Sequence, residues 1–272
     1  MIGVRLRGRL GNVLFELCYA EKIAENLDTS VYIMDLPDNE EKKRDYYYYH
    51  NELYGKEFFR RYEVVHPDTD IRSTYIRDRE KALCVKSDAV FDFYIAGVKY
   101  VYPEIRDIFT PSKELKEELM DLYGPTGNSL CMHVRRGDFL NPEIIAGGWY
   151  SCPKEYWEAA YDLTDKDYDK VIIISDDIEW CKNNIDFGNN TVFADKVTEN
   201  PGLFCDLFLQ SMCRDNIISA STYSWWGMYL NGNPGKKVIM PYPWNTIPGN
   251  RKNTYYYTED CINLGIYDYK IK

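Results

Sequence analysis

Histidine, two arginines, a glycine and an aspartate stand together at His133-Val134-Arg135-Arg136-Gly137-Asp138, directly after the apolar run that begins at Leu130. Successive side chains of a strand point to opposite faces, so this polar run cannot all be buried on one side. It marks the carboxyl end of a strand, where ligands of doubly wound sheets collect. Two adjacent guanidinium groups repel unless an anion lies between them, and a diphosphate offers charge-assisted bonds worth about 1.5–3 kcal/mol each. Gly137 allows a tight backbone turn. A second role is open to Asp138, which sits close enough in sequence to hold either arginine in a salt bridge.

Other residues of chemical interest fall at similar junctions. Asp176 and Asp177 follow the apolar run Val171 to Ser175 and read either as site carboxylates or as helix caps. Ser219, Ser221, Thr222 and Ser224 lie between a strand and a helix, where free backbone amides favour anions and where hydroxyl caps are also common. Trp225 and Trp226 behind them suit either a core anchor or a sugar platform. The turn Gly8 to Asn12 joins a strand to a helix and permits close approach of a ligand to the backbone. Asp-X-Asp, a carboxylate pair suited to a divalent cation, occurs at Asp68-Thr69-Asp70 and Asp165-Lys166-Asp167. Each lies in a polar stretch, and the second precedes a strand instead of following one, so both read as solvated loop. No metal is expected, because the arginines supply the electrostatic stabilisation a metal would give a leaving diphosphate.

The elements that position these residues are legible from hydrophobic pattern. Strands are expected at Leu130–Val134, Val171–Ser175, Thr191–Phe193, Asn216–Ser219 and Lys237–Met240, with helices at Lys154–Leu163, after Pro153, and Leu203–Cys213 between them. That alternation predicts a parallel sheet covered by helices. The first half opens with strand Ile2–Leu6, a helix Asn12–Leu27 and strand Val31–Met34, a βαβ start. The charged, tyrosine-rich segment Asp38–Arg79, including Tyr46 to Tyr49, carries no clear period. A helix Lys113–Leu122 ends at the turn signal Tyr123 to Gly127, which sets a domain boundary there. The expected domains are thus residues 1–126, residues 127–257 and a C-terminal tail, 258–272, packing back on the first domain.

Composition narrows the classes. At 272 residues and 45% hydrophobic content, the chain has enough apolar material for a large core. A net charge of −10 argues against nucleic acid as partner, while leaving room for a local basic cleft. No apolar run reaches the roughly 20 residues of a membrane span, and no secretion signal opens the sequence, so a cytoplasmic protein is expected. The 8 cysteines lack metal or redox spacing and read as free thiols of a reducing compartment.

The string His133 to Phe139 resembles the signature shared by α-1,2- and α-1,6-fucosyltransferases. Three further segments follow the same family order: Gly8-Arg9-Leu10-Gly11-Asn12-Val13-Leu14-Phe15, Ile174 to Trp180, and Asp206 with Ser211, Cys213 and Ile217 to Gly227. Together they are similar to the bacterial-type α-1,2-fucosyltransferases of glycosyltransferase family 11. The sequence departs from that pattern at Val13 and Glu16, where glutamines are usual, and at Ala220, where asparagine is usual. The resemblance implies a GT-B-like fold of two facing Rossmann-like domains with parallel sheets. It also implies inverting transfer of fucose from GDP-fucose to a hydroxyl, O2, of a galactose-ended glycan, with that glycan's membrane-bound carrier as a peripheral partner. In that frame Arg135 and Arg136 neutralise the diphosphate, Arg136 serving the departing oxygen. His133 and Asp206 lie near guanine or ribose, Asp176, Ser221, Thr222, Ser224 and the Trp225 backbone add donor contacts, and Gly11 and Asn12 reach the donor from the first domain. A carboxylate base is required as well, for which Asp138 and Glu143 are the candidates. Transfer from a different nucleotide sugar, or binding without catalysis, would use the same arginines.

Overall fold

The structure is a computed structural model, which describes residues 1–35, 53–66, 74–82, 84–86, 88–196, 202–247 and 255–266. Asp68-Thr69-Asp70, Tyr46 to Tyr49 and most of the segment 38–79 lie outside the described residues. The chain divides into two units, Met1–Ser112 and Lys113–Lys272.

The first unit is built on a five-stranded parallel sheet. Its elements are β1 (Ile2–Val4), α1 (Leu10–Asn26), β2 (Val31–Met34), β3 (Glu63–Val65), β4 (Thr74–Ile76), α2 (Arg79–Ala82), β5 (Ala89–Phe91) and α3 (Ile105–Ile108). The strand order is β3-β2-β1-β5-β4, so the chain runs outward from β1 on one side and resumes on the other. β1, β2 and β5 are buried at every position, the pattern of parallel strands covered on both faces. In α1, Leu10, Val13, Leu14, Leu17, Ala20 and Ala24 recur at helical spacing and are all buried.

The second unit comprises α4 (Lys113–Tyr123), β6 (Ser129–Val134), α5 (Pro142–Ala146), α6 (Lys154–Asp162), β7 (Lys170–Ser175), α7 (Ile178–Asn184), β8 (Thr191–Phe193), α8 (Gly202–Met212), β9 (Asp215–Ile217), α9 (Thr222–Leu230), β10 (Val238–Tyr242) and β11 (Cys261–Gly265). Its six strands are parallel in the order β11-β10-β9-β6-β7-β8. The strand order reverses between β6 and β9, which is where doubly wound sheets open a crevice at their carboxyl ends. Leu130, Met132 and Val134 of β6 join Tyr156, Trp157, Val171 and Ile173 in one core. Cys131 and His133 point to the other face, as strand alternation requires. On that side α8 and α9 approach closely: a Cβ on Gly227 would meet the Gln210 side chain at 2.3 Å. Gln210 Nε2 donates to the Ser224 carbonyl at 2.8 Å, which locks the pair.

The expected strands and helices of the second half are found within a residue or two. Two expectations change. The boundary falls after Ser112 and not at 126, because α4 packs on α8 and so belongs to the second unit. The tail is no separate element: Cys261–Gly265 pairs in parallel with β10 and completes the second sheet. Among the described residues no helix is long and apolar enough to cross a membrane. All eight cysteines are free thiols, six of them buried.

Candidate active site

The carboxyl end of β6 is tied to its neighbours before any side chain reaches outward. Ser219 Oγ donates to the His133 carbonyl at 2.7 Å and accepts from the Arg135 amide at 2.8 Å, which fastens the β9 loop to the end of β6. On the other flank Ser175 Oγ donates to the Val134 carbonyl and accepts from the Asp177 amide. Asp176 accepts from the Arg136 amide at 2.8 Å. A Cβ at position 137 would lie 2.2 Å from the Asp176 carboxylate, so this approach requires glycine there.

The two arginines emerge from this frame with different surroundings. Arg135 is held by two carboxylates, Asp176 at 2.6 Å from Nη1 and Asp138 at Nη2, and its guanidinium lies 5.4 Å from the Phe139 ring. Arg136 is held from behind. Its Nε donates to Asp177 at 3.0 Å, and the guanidinium lies 3.8 Å from the Trp180 ring centroid. Among the described residues its two terminal amino groups make no hydrogen bond. Arg136 thus presents a fixed, planar fork, the geometry that suits phosphate oxygens. Asp177 also caps α7 by accepting from the Trp180 amide, and its bond to Arg136 holds its carboxyl below the usual carboxylate range.

The candidate bases differ in the same way. Asp138 is engaged by Arg135, so its charge is already in use. Glu143 is near the start of α5 and exposed; among the described residues its amide is engaged by the Asn141 side chain and its carboxylate by no cation. His133 is 4% exposed and packs on the Tyr223 ring at 5.4 Å. Burial, aided by the Arg135 charge, lowers its pKa to about 3, so the imidazole is neutral. Its Nδ1 has no hydrogen-bond partner among the described residues. Asp206 sits half-buried on α8, and desolvation pushes its carboxyl up to about 7.

At the start of α9 the expected donor contacts Ser224 and Trp225 are engaged within the protein. Ser224 is fully buried and its hydroxyl is turned to the Ser219 and Ser221 carbonyls, so it stitches the helix to its own entry loop. Trp225 is fully buried, its Nε1 donating to the Tyr256 carbonyl and its amide to the Ser221 carbonyl. Both side chains, like that of Trp226, are packed inside the unit. Ser221 and Thr222 form the entry of α9, with Ser221 8% exposed and making no side-chain cap.

In the first unit, Gly8 has φ +75°, a left-handed conformation natural only to glycine, and a Cβ there would meet the Asn12 side chain at 2.6 Å. Asn12 Oδ1 accepts from Tyr94 Oη at 2.9 Å, while Gly11 is buried within α1. Glu16 accepts from the Arg7 amide at 2.8 Å and is desolvated, so its carboxyl is raised well above the ordinary range. It holds the loop from inside. Asp165-Lys166-Asp167 is spent on cations: Asp167 pairs with Arg214 at 2.6 Å and Asp165 with Lys237 at 2.9 Å.

The glycosyl transferase family 11 model matches residues 76–259, most of the chain and the whole of the arginine site. The chain belongs to that family. The O-antigen biosynthesis glycosyltransferase WbnK of Escherichia coli is 32% identical over 54% of this chain and 52% of its own length. An α-1,2-colitosyltransferase of Escherichia coli is 31% identical over 52% and 50%. A galactoside α-(1,2)-fucosyltransferase 1 of Rattus norvegicus is 31% identical over 47% and 37%. The chain therefore spans about half, or less, of the length of these curated relatives. Among solved structures, fucosyltransferase NodZ from Bradyrhizobium superposes with a TM-score of 0.52 at 12% identity, covering 84% of this chain and 92% of that one. POFUT1 in complex with GDP gives 0.53 at 9% identity, covering 88% and 97%. At such identities the likeness is one of fold, α/β and GT-B-like with two parallel sheets.

Within this family 11 member, the second unit brings together Arg135, Arg136, Asp138 and Asp176 at one sheet edge. Residue types alone did not single out Trp180 as part of that frame, and they offered Ser219 for anions, whereas its hydroxyl bridges the His133 carbonyl and the Arg135 amide. Trp180 follows Asp177 by three positions at the start of a helix, a spacing that places its ring over whatever the aspartate holds.

Proposed function

We propose that the chain is an inverting glycosyltransferase that moves fucose from GDP-fucose to a hydroxyl, O2, of a galactose-ended glycan. The observation that carries the reading is the Arg136 fork, clamped by Asp177 and Trp180 beyond the end of β6, with no acceptor among the described residues at its terminal amino groups. Membership of family 11 and the fucosyltransferase relatives support it.

As the bond between the sugar C1 and the diphosphate oxygen breaks, its electron pair leaves with the diphosphate, and Arg136 neutralises that charge as it develops. The guanidinium thereby supplies the charge that a cation brings to such a step in other transferases. The C1 centre passes through an oxocarbenium-like state and is attacked from the opposite face by the acceptor oxygen. The acceptor's proton goes to a carboxylate, for which Glu143 is the choice over Asp138, whose charge Arg135 already engages. The neutral His133, whose Nδ1 lacks a partner among the described residues, suits a hydrogen bond to the nucleotide, and Asp206 serves the same end of the donor.

A second reading is favoured by the colitosyltransferase relative: the same site with a different sugar on the nucleotide, since an arginine fork reads phosphate charge and not the hexose. Incubation with a panel of nucleotide sugars and galactosides, followed by product mass and linkage analysis, tests both. A 2-linked fucosyl galactoside is the expected product. Transfer from another donor alone selects the second reading, and no transfer from any donor rejects both.

A further inference from the structure

A second arginine of this unit shows what is unusual about Arg136. Arg214 also lies over an aromatic ring, 4.3 Å from the Tyr168 centroid, with its Nε on the Asp215 carboxylate at 3.2 Å. Its terminal amino groups are then taken up inside the fold, Nη1 by Asn128 and Nη2 by Asp167, both at 2.6 Å. Ring, acid and fork are all closed, and the result is a structural knot. Arg136 has the same ring and acid, and its side chain is only 15% exposed. Among the described residues its fork nevertheless makes no hydrogen bond. A guanidinium largely withdrawn from water with idle donors is destabilising until a ligand completes it.

Two contacts divide the work of holding Arg136. Asp177 accepts from Nε at 3.0 Å, which fixes a point and leaves the guanidinium plane free to turn about that bond. The face of Trp180, 3.8 Å away at its centroid, fixes the plane. The ring is itself placed by a closed circuit of bonds. Ser175 Oγ donates to the Val134 carbonyl at 2.8 Å and accepts from the Asp177 amide at 2.9 Å. Asp177 accepts from the Trp180 amide at 3.2 Å, and the Trp180 ring returns to Arg136, close along the chain to Val134. Trp180 also packs against the core of the unit, so the plane it sets is tied to the sheet.

We propose that Trp180 is a positioning residue for the transfer step: its ring sets the plane of the Arg136 fork so that both terminal amino groups meet the oxygens of one phosphate end-on. The inference rests on the reading of Arg136 as the group that neutralises the departing diphosphate. Orientation counts most as charge develops at one oxygen, and less for the resting attraction between a diphosphate and a cation. Loss of the ring should therefore lower kcat more than it weakens donor binding.

Steady-state transfer and tryptophan emission of the full chain test this, the second without turnover. Trp180→Leu fills the space without a flat face, whereas Trp180→Phe keeps one. In Trp180→Leu, kcat should fall about tenfold with the donor KM within about threefold of the parent, and Trp180→Phe should recover most of that loss. Calorimetric stoichiometry for GDP counts the competent molecules, so a poorly folded variant does not pass for a slow one. GDP and inorganic pyrophosphate should each shift the tryptophan emission of the parent, because each brings charge to the guanidinium above the ring. Guanosine should not, and the shift should vanish in Trp180→Phe. Equal kcat in Trp180→Leu and Trp180→Phe, a parent that binds GDP with unchanged emission, or a shift that survives Trp180→Phe would each overturn the proposal. A shift lost in Trp180→Phe from a chain that transfers no sugar would reject the transferase reading and leave the hold of Trp180 on the fork standing.

Discussion

Each unit places arginines just beyond the carboxyl end of its first strand, and the two clusters are neutralised in opposite ways. At the end of β6, two arginines meet three carboxylates, Asp138, Asp176 and Asp177, which fix both guanidinium groups while leaving the Arg136 fork open. At the end of β1, Arg5 and Arg7, joined by Arg77, share the carboxylate of Asp92. In both sheets the first strand lies between the second strand and a later one, β1 between β2 and β5 and β6 between β7 and β9, so topology alone brings charged residues to these edges. Acids decide the rest. The second unit spends carboxylates on orientation, as a site must if it is to stabilise charge developing at one oxygen. The first unit gathers three arginines around one buried carboxylate, Asp92, which ties the ends of β1, β4 and β5 together.

Removing one acid from each cluster should break this comparison in stability measurements. Asp92→Asn takes away the buried carboxylate on which three guanidinium groups converge, and denaturant unfolding should show a loss of about 3 kcal/mol. The contrasting Asp138→Asn, in a pair more open to solvent and with Asp176 still on Arg135, should cost less than about 1 kcal/mol. Equal losses would mean that the two clusters are balanced alike.

A smaller, pH-dependent effect concerns Asp206. Its carboxyl is raised from 3.8 to about 7 in the fold, so the protonated form is favoured. Stability tied to this group is fully present below pH 3.8 and is lost as pH rises toward 7. Asparagine imitates the neutral acid. Asp206→Asn should therefore melt with the parent at pH 4 and on the order of 5 °C above it at pH 8. A constant offset at both pH values would place Asp206 in a solvated setting.

Much of the second unit was legible because β6 and β7 are six-residue strands centred on the apolar runs Leu130 to Met132 and Val171 to Ile174, which stand out between helices with a 3.6-residue period. The arginine pair was legible for the same reason, since a charged run after such a strand has one place to go. β3 and β4 lie within the charged, tyrosine-rich stretch that carries no period, β5 is three residues long, and β11 has exposed residues at its centre. The hydroxyls around α9 show a different limit. Sequence places Ser221, Thr222 and Ser224 at a helix start, but the direction of the Ser224 hydroxyl depends on α8 pressing against α9 through Gly227 and Gln210. Likewise, Asp138 and Asp177 could each serve chemistry or hold an arginine, and only the fold shows which partner lies opposite.

The account depends most on the open fork of Arg136. Affinity for GDP, measured by calorimetry alongside kcat for sugar transfer in Arg136→Ala, addresses it directly. A fall in kcat of about 10²–10³ with weakened GDP binding and an unchanged melting temperature is the predicted result. Near-normal transfer and GDP affinity in that variant would contradict the assignment of the diphosphate to this arginine.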